Sequence, residues 1–244
     1  MLGRLQSRKV IDRSYSSIKH LPGSKLIDTS DSLLSEEIAN YFTHKTQFDK
    51  DLVIVTEKLD GANVGVLRKD DVLYPIMRAG YDVRTSQHRQ LRLFADFVEK
   101  NSDRFMQLLK DGERACGEWL IKTHSIPYDI KGEPFVIFDI IQGNKRLNYL
   151  EIMQRCHQVG FKMPKLIHMG TAIPTEVAMQ LLGDGYHGSL EKPEGVVYRY
   201  ERDGNFYSSA KYVRPDFESG KYMNEEEWNS WSSKKWKVPK GAYL

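Results

Sequence analysis

Leu52-Val53-Ile54-Val55-Thr56-Glu57-Lys58-Leu59-Asp60-Gly61 is the stretch from which the fold of this chain can be read. The run from Leu52 to Thr56 is apolar and β-branched and reads as a buried strand, and Asp60-Gly61 reads as the tight turn that ends it. Lys58 therefore stands at the exit of a strand, where it is placed to act as a covalent nucleophile. An amine attacks phosphorus or carbonyl carbon only when neutral, and burial or neighbouring positive charge lowers its pKa toward working pH. K-x-D-G alone recurs by chance, and an exposed lysine beside a hairpin turn is its plainer reading. The rest of the chain decides between the two.

Outward from that point, residues 52–57, 62–68 and 72–79 read as strands, the first two joined through Asp60-Gly61. Leu91, Phe94, Ala95 and Val98 fall at helical spacing within 87–100, and a shorter helix is expected over 103–110. Strands follow at 113–121 and 134–141, then helices at 148–159 and 174–182. Residues 194–200 and 206–213 pair as a hairpin across Asp203-Gly204-Asn205, and the aromatic, acidic segment 224–236 reads as a helix. This order is not a regular βαβ series. It implies an α+β domain with mainly antiparallel sheets flanked by helices.

The 244 residues allow one large domain or two small ones, with 40% hydrophobic and 28% charged residues. The net charge of +3 tolerates a polyanionic partner without demanding one. No apolar stretch is long enough to span a bilayer, so no membrane association is expected. Cys116 and Cys156 lack metal-site spacing and read as buried free thiols in a reducing, intracellular compartment. Residues 1–19 carry Arg4, Arg8, Lys9, Arg13 and Lys19 against the single acid Asp12. That composition overlaps with an organellar transit peptide, although a basic start to the domain is favoured; the cytoplasm is the expected site, with an organelle left open.

Four further motifs follow Lys58 in order: Gly117-Glu118-Trp119, Phe135-Val136-Ile137-Phe138-Asp139, Glu194-Gly195-Val196-Val197 and Ser209-Ala210-Lys211-Tyr212-Val213. The ordered set resembles the covalent nucleotidyltransferases, that is RNA ligases, DNA ligases and capping enzymes. Within that group it is similar to ATP-dependent RNA ligases of the RNA ligase 2 type. Asn63 stands five residues after Lys58, where DNA ligases and capping enzymes usually have arginine. The resemblance implies an ATP-grasp-like ligase adenylation domain spanning 1–244, with 1–51 as an N-terminal extension and 215–244 as a short helical tail. It also implies ATP and Mg²⁺ as cofactors, with Mn²⁺ as an alternative.

The same resemblance implies roles for single residues. Lys58 would carry AMP, with Glu57 beside it in the nucleotide site. Glu118 would bind the ribose hydroxyls and Phe138 would stack on the purine. Glu194, with Asp139 or Glu118, would support the metal, and Asn63 and Lys211 would hold the nucleotide. Arg78 would contact the end being sealed. The last motif departs from the family, which usually carries two lysines separated by one residue: either Ser209 or Val213 stands where the second belongs, and Arg214 is a candidate replacement. The basic stretch with Arg84, His88, Arg89 and Arg92 is a second candidate nucleic-acid surface, and a solvated helix face is an equal reading. Tyr81 and Trp119 are candidate base-stacking residues, with core packing favoured for Trp119. The implied partners are RNA ends, in nicked duplex RNA or an RNA–DNA hybrid. Since only 212–244 follow Lys211, a near-minimal catalytic domain is expected, one that would seal poorly without a partner protein or an annealed duplex. A guanylyltransferase of capping type and a non-catalytic nucleic-acid-binding relative are the alternatives.

Overall fold

Period-two burial organises the computed structural model, which describes residues 8–223 and 228–231. Along β2 (Asp51–Lys58), Val53 and Val55 point into a helix-covered core while Ile54, Thr56 and Lys58 line a cavity on the other face. The first sheet runs in the order β1 (Lys19–His20), β10 (Asn205–Val213), β9 (Gly195–Arg202), β2 and β8 (Leu166–Gly170). All its pairings are antiparallel except β1 with β10. Helices α1 (Glu36–Thr43) and α5 (Thr175–Leu182) cover its outer face through Ala39, Phe42, Ala178 and Leu182.

The second sheet is antiparallel throughout, in the order β4 (Val72–Met77), β3 (Ala62–Lys69), β5 (Glu113–Trp119), β6 (Phe135–Gln142) and β7 (Lys145–Arg146). Its core is shared with α2 (Arg89–Lys100), α3 (Ser102–Leu108) and α4 (Tyr149–Val159). Phe94 anchors it, 5.3 Å from Trp119 and 4.9 Å from Phe135, ring centre to ring centre. Truncating such a ring to alanine costs about 3–5 kcal/mol. Trp119 is wholly buried and donates its indole N–H to the Gln90 carbonyl, so it is a core residue rather than a base-stacking one. Both cysteines are buried and free, and burial pushes each thiol up to about 12.

The turn after Lys58 corrects one expectation. β2 and β3 do not pair with each other; the chain leaves the first sheet at Lys58 and enters the second at Ala62. Asp60 fixes this crossing, its carboxylate accepting the Ser125 and Ile126 N–H groups at 2.6 and 2.9 Å. Gly61 is obligatory for a steric reason, since a Cβ there would lie 2.6 Å from the Trp119 carbonyl oxygen.

Helix α1, β1 and β8 lie outside the elements read from the sequence. The first shows only two apolar core residues, Ala39 and Phe42, and β8 is a half-buried edge strand without alternation. The helix expected over 224–236 falls almost wholly outside the described residues. Among those described, no helix is long and apolar enough to cross a membrane.

Candidate active site

The two sheets face each other across a cavity of about 430 Å³. Ile54, Thr56 and Lys58 of β2, Val197 and Arg199 of β9, and Ser209 and Lys211 of β10 form one wall. Asn63, Glu118, Phe138, Asp139 and Arg146 form the other, and Tyr15, Ser16, Ile18 and Arg78 close the side. Residues scattered over most of the sequence thus meet in one place. Phe138 and Asp139 both reach the cavity, although neighbours in a strand normally alternate. The β5–β6 register shifts between Cys116 and Gly117, which pair with Asp139 and Ile137, leaving Phe138 as the extra bulged residue. Gly117 makes room for the bulge, because a Cβ there would meet the Val136 carbonyl at 2.5 Å.

At one end, Lys58 Nζ donates to Glu194 Oε2 at 2.6 Å, with the glutamate side chain only 4% exposed. Glu118 accepts the Gly61 N–H at 3.1 Å and pairs across the strands with Asn63, whose buried Oδ1 has no partner among the described residues. Burial acts to lower the Lys58 pKa, but Glu194, Glu118 and Asp60 outweigh it and the net shift is upward. The lysine is therefore an ammonium in this state, contrary to the sequence expectation of an amine made neutral by burial. Burial pushes Glu118 up to about 8, Lys58 opposing the rise and Asp60 and Glu194 adding to it. More carboxylates than cations crowd this end of the cavity.

At the other end, Asp139 was expected as a metal ligand, but its oxygens are taken. Oδ1 lies 3.2 Å from Arg199 and Oδ2 3.1 Å from Arg146, and the side chain is 1% exposed. Arg199 also contacts Glu201 at 2.6 Å and the Leu147 carbonyl, while Arg146 donates to the Tyr15 hydroxyl at 2.8 Å. The Tyr15 ring stands edge-on to Phe138, with centroids 4.9 Å apart. The sequence reading missed this group. Its signal is Arg199 and Glu201, two charged residues on one face of an otherwise buried strand.

Ser209 lines the cavity with Lys211, whereas Val213 is fully buried in the core. Arg199 pairs directly with Ser209 across β9–β10. Arg214 does not replace the missing lysine, because it binds Asp216 at 2.9 Å and the Pro193 carbonyl. Glu57 borders the cavity, but its carboxylate accepts the Tyr186 N–H at 2.9 Å, and burial raises its pKa to about 7. Alternation along β2 places that side chain on the face opposite Lys58.

Arg84, His88 and Arg89 do not join this site. Arg84 is tied to Asp82 at 2.6 Å, Arg89 lies over the Trp228 ring at 5.2 Å, and His88 is exposed at the start of α2. Arg78 is exposed at the cavity edge and donates to Ser17 at 2.5 Å. Among the described residues, no three His, Cys, Asp or Glu side chains are grouped to cage a metal. The crowded carboxylates at the lysine end nonetheless fit a divalent ion held by one or two of them and by substrate oxygens.

A family model described as RNA ligase matches residues 51–213. No curated protein matches the chain. Among solved structures, a Naegleria gruberi RNA ligase variant with AMP and manganese is 18% identical at a TM-score of 0.56, covering 87% of this chain and 60% of that one. The N. gruberi RNA ligase with pyrophosphate is 22% identical at 0.54, covering 80% and 59%. An archaeal ATP-dependent RNA ligase is 20% identical at 0.51, covering 83% and 48%. At these identities the likeness is one of fold, and this chain spans at most about three-fifths of each relative.

Proposed function

The chain belongs to the RNA ligase family, and on that premise we propose that it is an ATP-dependent RNA ligase whose covalent nucleophile is Lys58. Lys58 Nζ attacks the α-phosphorus of ATP, the N–P bond forms, and pyrophosphate leaves with the broken P–O bond. A 5′-phosphate of RNA then takes the AMP, and an oxygen of the second strand's 3′-hydroxyl displaces it to close the backbone.

The observation that carries this reading is the 2.6 Å contact between Lys58 and Glu194 in a cavity sized for a nucleotide. Before attack the ammonium must lose a proton, and Glu194 is the acceptor within reach. Glu118 faces the ribose, Phe138 offers a stacking surface for the purine, and Asn63 brings an unpartnered amide oxygen. Lys211 stabilises charge on the phosphate oxygens. Glu194, with Glu118 beside it, would hold Mg²⁺ or Mn²⁺, which supplies further neutralisation of the triphosphate. Asp139, paired with Arg146 and Arg199, is left out of this reading. Arg78 at the rim, with exposed His88 and Arg89 beyond it, would meet the RNA, a nicked duplex or RNA–DNA hybrid, and a partner protein would complete the grip on it.

The test is intact mass after incubation with ATP and Mg²⁺. Wild type should gain one AMP, roughly 329 Da for a lysyl phosphoamide, and Lys58→Ala should gain none. An adduct from GTP alone would move the protein to capping chemistry. No adduct from either nucleotide would leave a binding protein.

A further inference from the structure

The N-terminal segment bears directly on the last motif of the cavity. β1 pairs in parallel with β10, setting His20 opposite Lys211. Leu21 N–H donates to the Lys211 carbonyl at 2.9 Å, and the Val213 N–H donates to Ser24 Oγ at 2.9 Å. The loop that follows returns Asp31 to this strand. Its Oδ1 lies 3.1 Å from Lys211 Nζ, and its Oδ2 accepts the N–H groups of Ile27 and Asp28 at 3.0 Å each. The two backbone donors fix the carboxylate, so it holds the lysine from a rigid base. His20 is wholly buried, its Nδ1 2.6 Å from Ser24 Oγ and its Nε2 3.2 Å from Asp31 Oδ1, not aligned for a hydrogen bond.

We propose that Asp31, backed by His20, is a positioning residue that holds the Lys211 ammonium at the phosphate end of the cavity. The need is local. β10 brings one ammonium, that of Lys211, to this wall. That ammonium is 17% exposed on a flexible four-carbon stem, and without a fixed partner it has many rotamers. Asp31 removes that freedom before ATP arrives, which is preorganisation in the sense that lowers a barrier rather than a binding constant. Four ionisable groups face Lys211: Asp31 and His20 from the N-terminal segment, Lys58 from β2 and Glu194 ahead of β9. Burial and Lys58 act against its charge, while Asp31 and Glu194 act for it. Asp31 itself is held well below the usual carboxylate range: burial opposes ionisation, and the amides of Asp28 and Ile27 together with Lys211 override it.

This role rests on the ligase reading, and two measurements separate its failure from the failure of that reading. The first is pulse acetylation of the full chain without nucleotide, with Lys211 acetylation quantified by mass spectrometry across pH. Asp31→Asn keeps one acceptor oxygen for the two loop amides but removes the counter-charge, so Lys211 should label faster and at lower pH. The second is the rate and ATP dependence of lysyl-AMP formation. Asp31→Asn should slow the rate at saturating ATP about tenfold, the scale of one charge-assisted hydrogen bond, with a smaller change in ATP affinity. Asp31→Glu retains the charge at a displaced position and should recover part of the rate. In a Lys211→Ala background, Asp31→Asn should change the residual rate less than twofold. Unchanged Lys211 labelling overturns the pairing, whether or not the protein makes an adduct. Faster labelling with an unchanged adduct rate, or equal losses in both backgrounds, overturns the positioning role. A wild type that labels as expected but forms no adduct overturns the ligase reading instead.

Discussion

The cavity contains two buried charge clusters that differ in balance. At the arginine end, Arg146 and Arg199 face Asp139 and Glu201, two cations against two carboxylates, all at or near hydrogen-bonding distance. At the lysine end, Lys58 and Lys211 face Glu194, Glu118, Asp60 and Asp31, two cations against four carboxylates. The first cluster bridges the sheets, since Arg199 belongs to β9 and Asp139 to β6. The second holds its proton between groups that both want a different partner. A balanced buried network holds structure in place; an unbalanced one is reactive, and Glu118 within it is raised first by burial and then by the like charges of Asp60 and Glu194.

The largest expected effect breaks the reactive cluster. Lys58→Ala should abolish adduct formation in the mass assay while leaving a folded protein, because the abandoned carboxylates can take up protons. Next comes the balanced cluster. Asp139→Ala should destabilise the fold by about 3–5 kcal/mol, since it leaves two buried guanidinium groups without their shared partner. Urea denaturation checks this, and a loss under 1 kcal/mol would show that the network does not tie the sheets. Glu194→Gln belongs between function and structure. It should slow adduct formation about 100-fold by removing the proton acceptor, with the deficit narrowing as pH rises and solvent base takes over. A pH-independent deficit would assign Glu194 another role.

How much of this was legible in the sequence follows the same division. Lys58, Glu118, Phe138 and Lys211, which all line the cavity, were singled out by the ordered motif set and its resemblance. The Asp139–Arg146–Arg199 cluster was not, because its partners come from three separate strands and each looks ordinary alone. Asp139 was read as a metal ligand for that reason. Its acidity was visible, but the two arginines that neutralise it were not. The sheet switch after Lys58 was hidden too, since Asp60-Gly61 has the chemistry of a hairpin turn. Only the Asp60 contacts to Ser125 and Ile126, far along the chain, show otherwise. Residues 1–51 were read as an extension, yet His20 and Asp31 meet Lys211 through a two-residue strand too short to give any periodic signal.

The smallest effect gives the sharpest test of imbalance. Burial raises Glu118 from 4.5 to about 8, so the folded protein keeps a proton there that the unfolded chain has already released. Stability therefore falls as pH rises from about 4.5 to about 8, because across that window the unfolded state binds fewer protons. Glu57, raised to about 7, acts in the same direction over a narrower window. Glu118→Gln keeps an oxygen for the Gly61 N–H and removes the titration. It should leave the melting temperature at pH 5 nearly unchanged and raise it by roughly 3 °C at pH 8. Asp139→Asn, in the balanced cluster, should lower the melting temperature at both pH values. If Glu118→Gln melts with the wild-type pH dependence, the lysine end is not the strained one and the contrast between the two clusters fails.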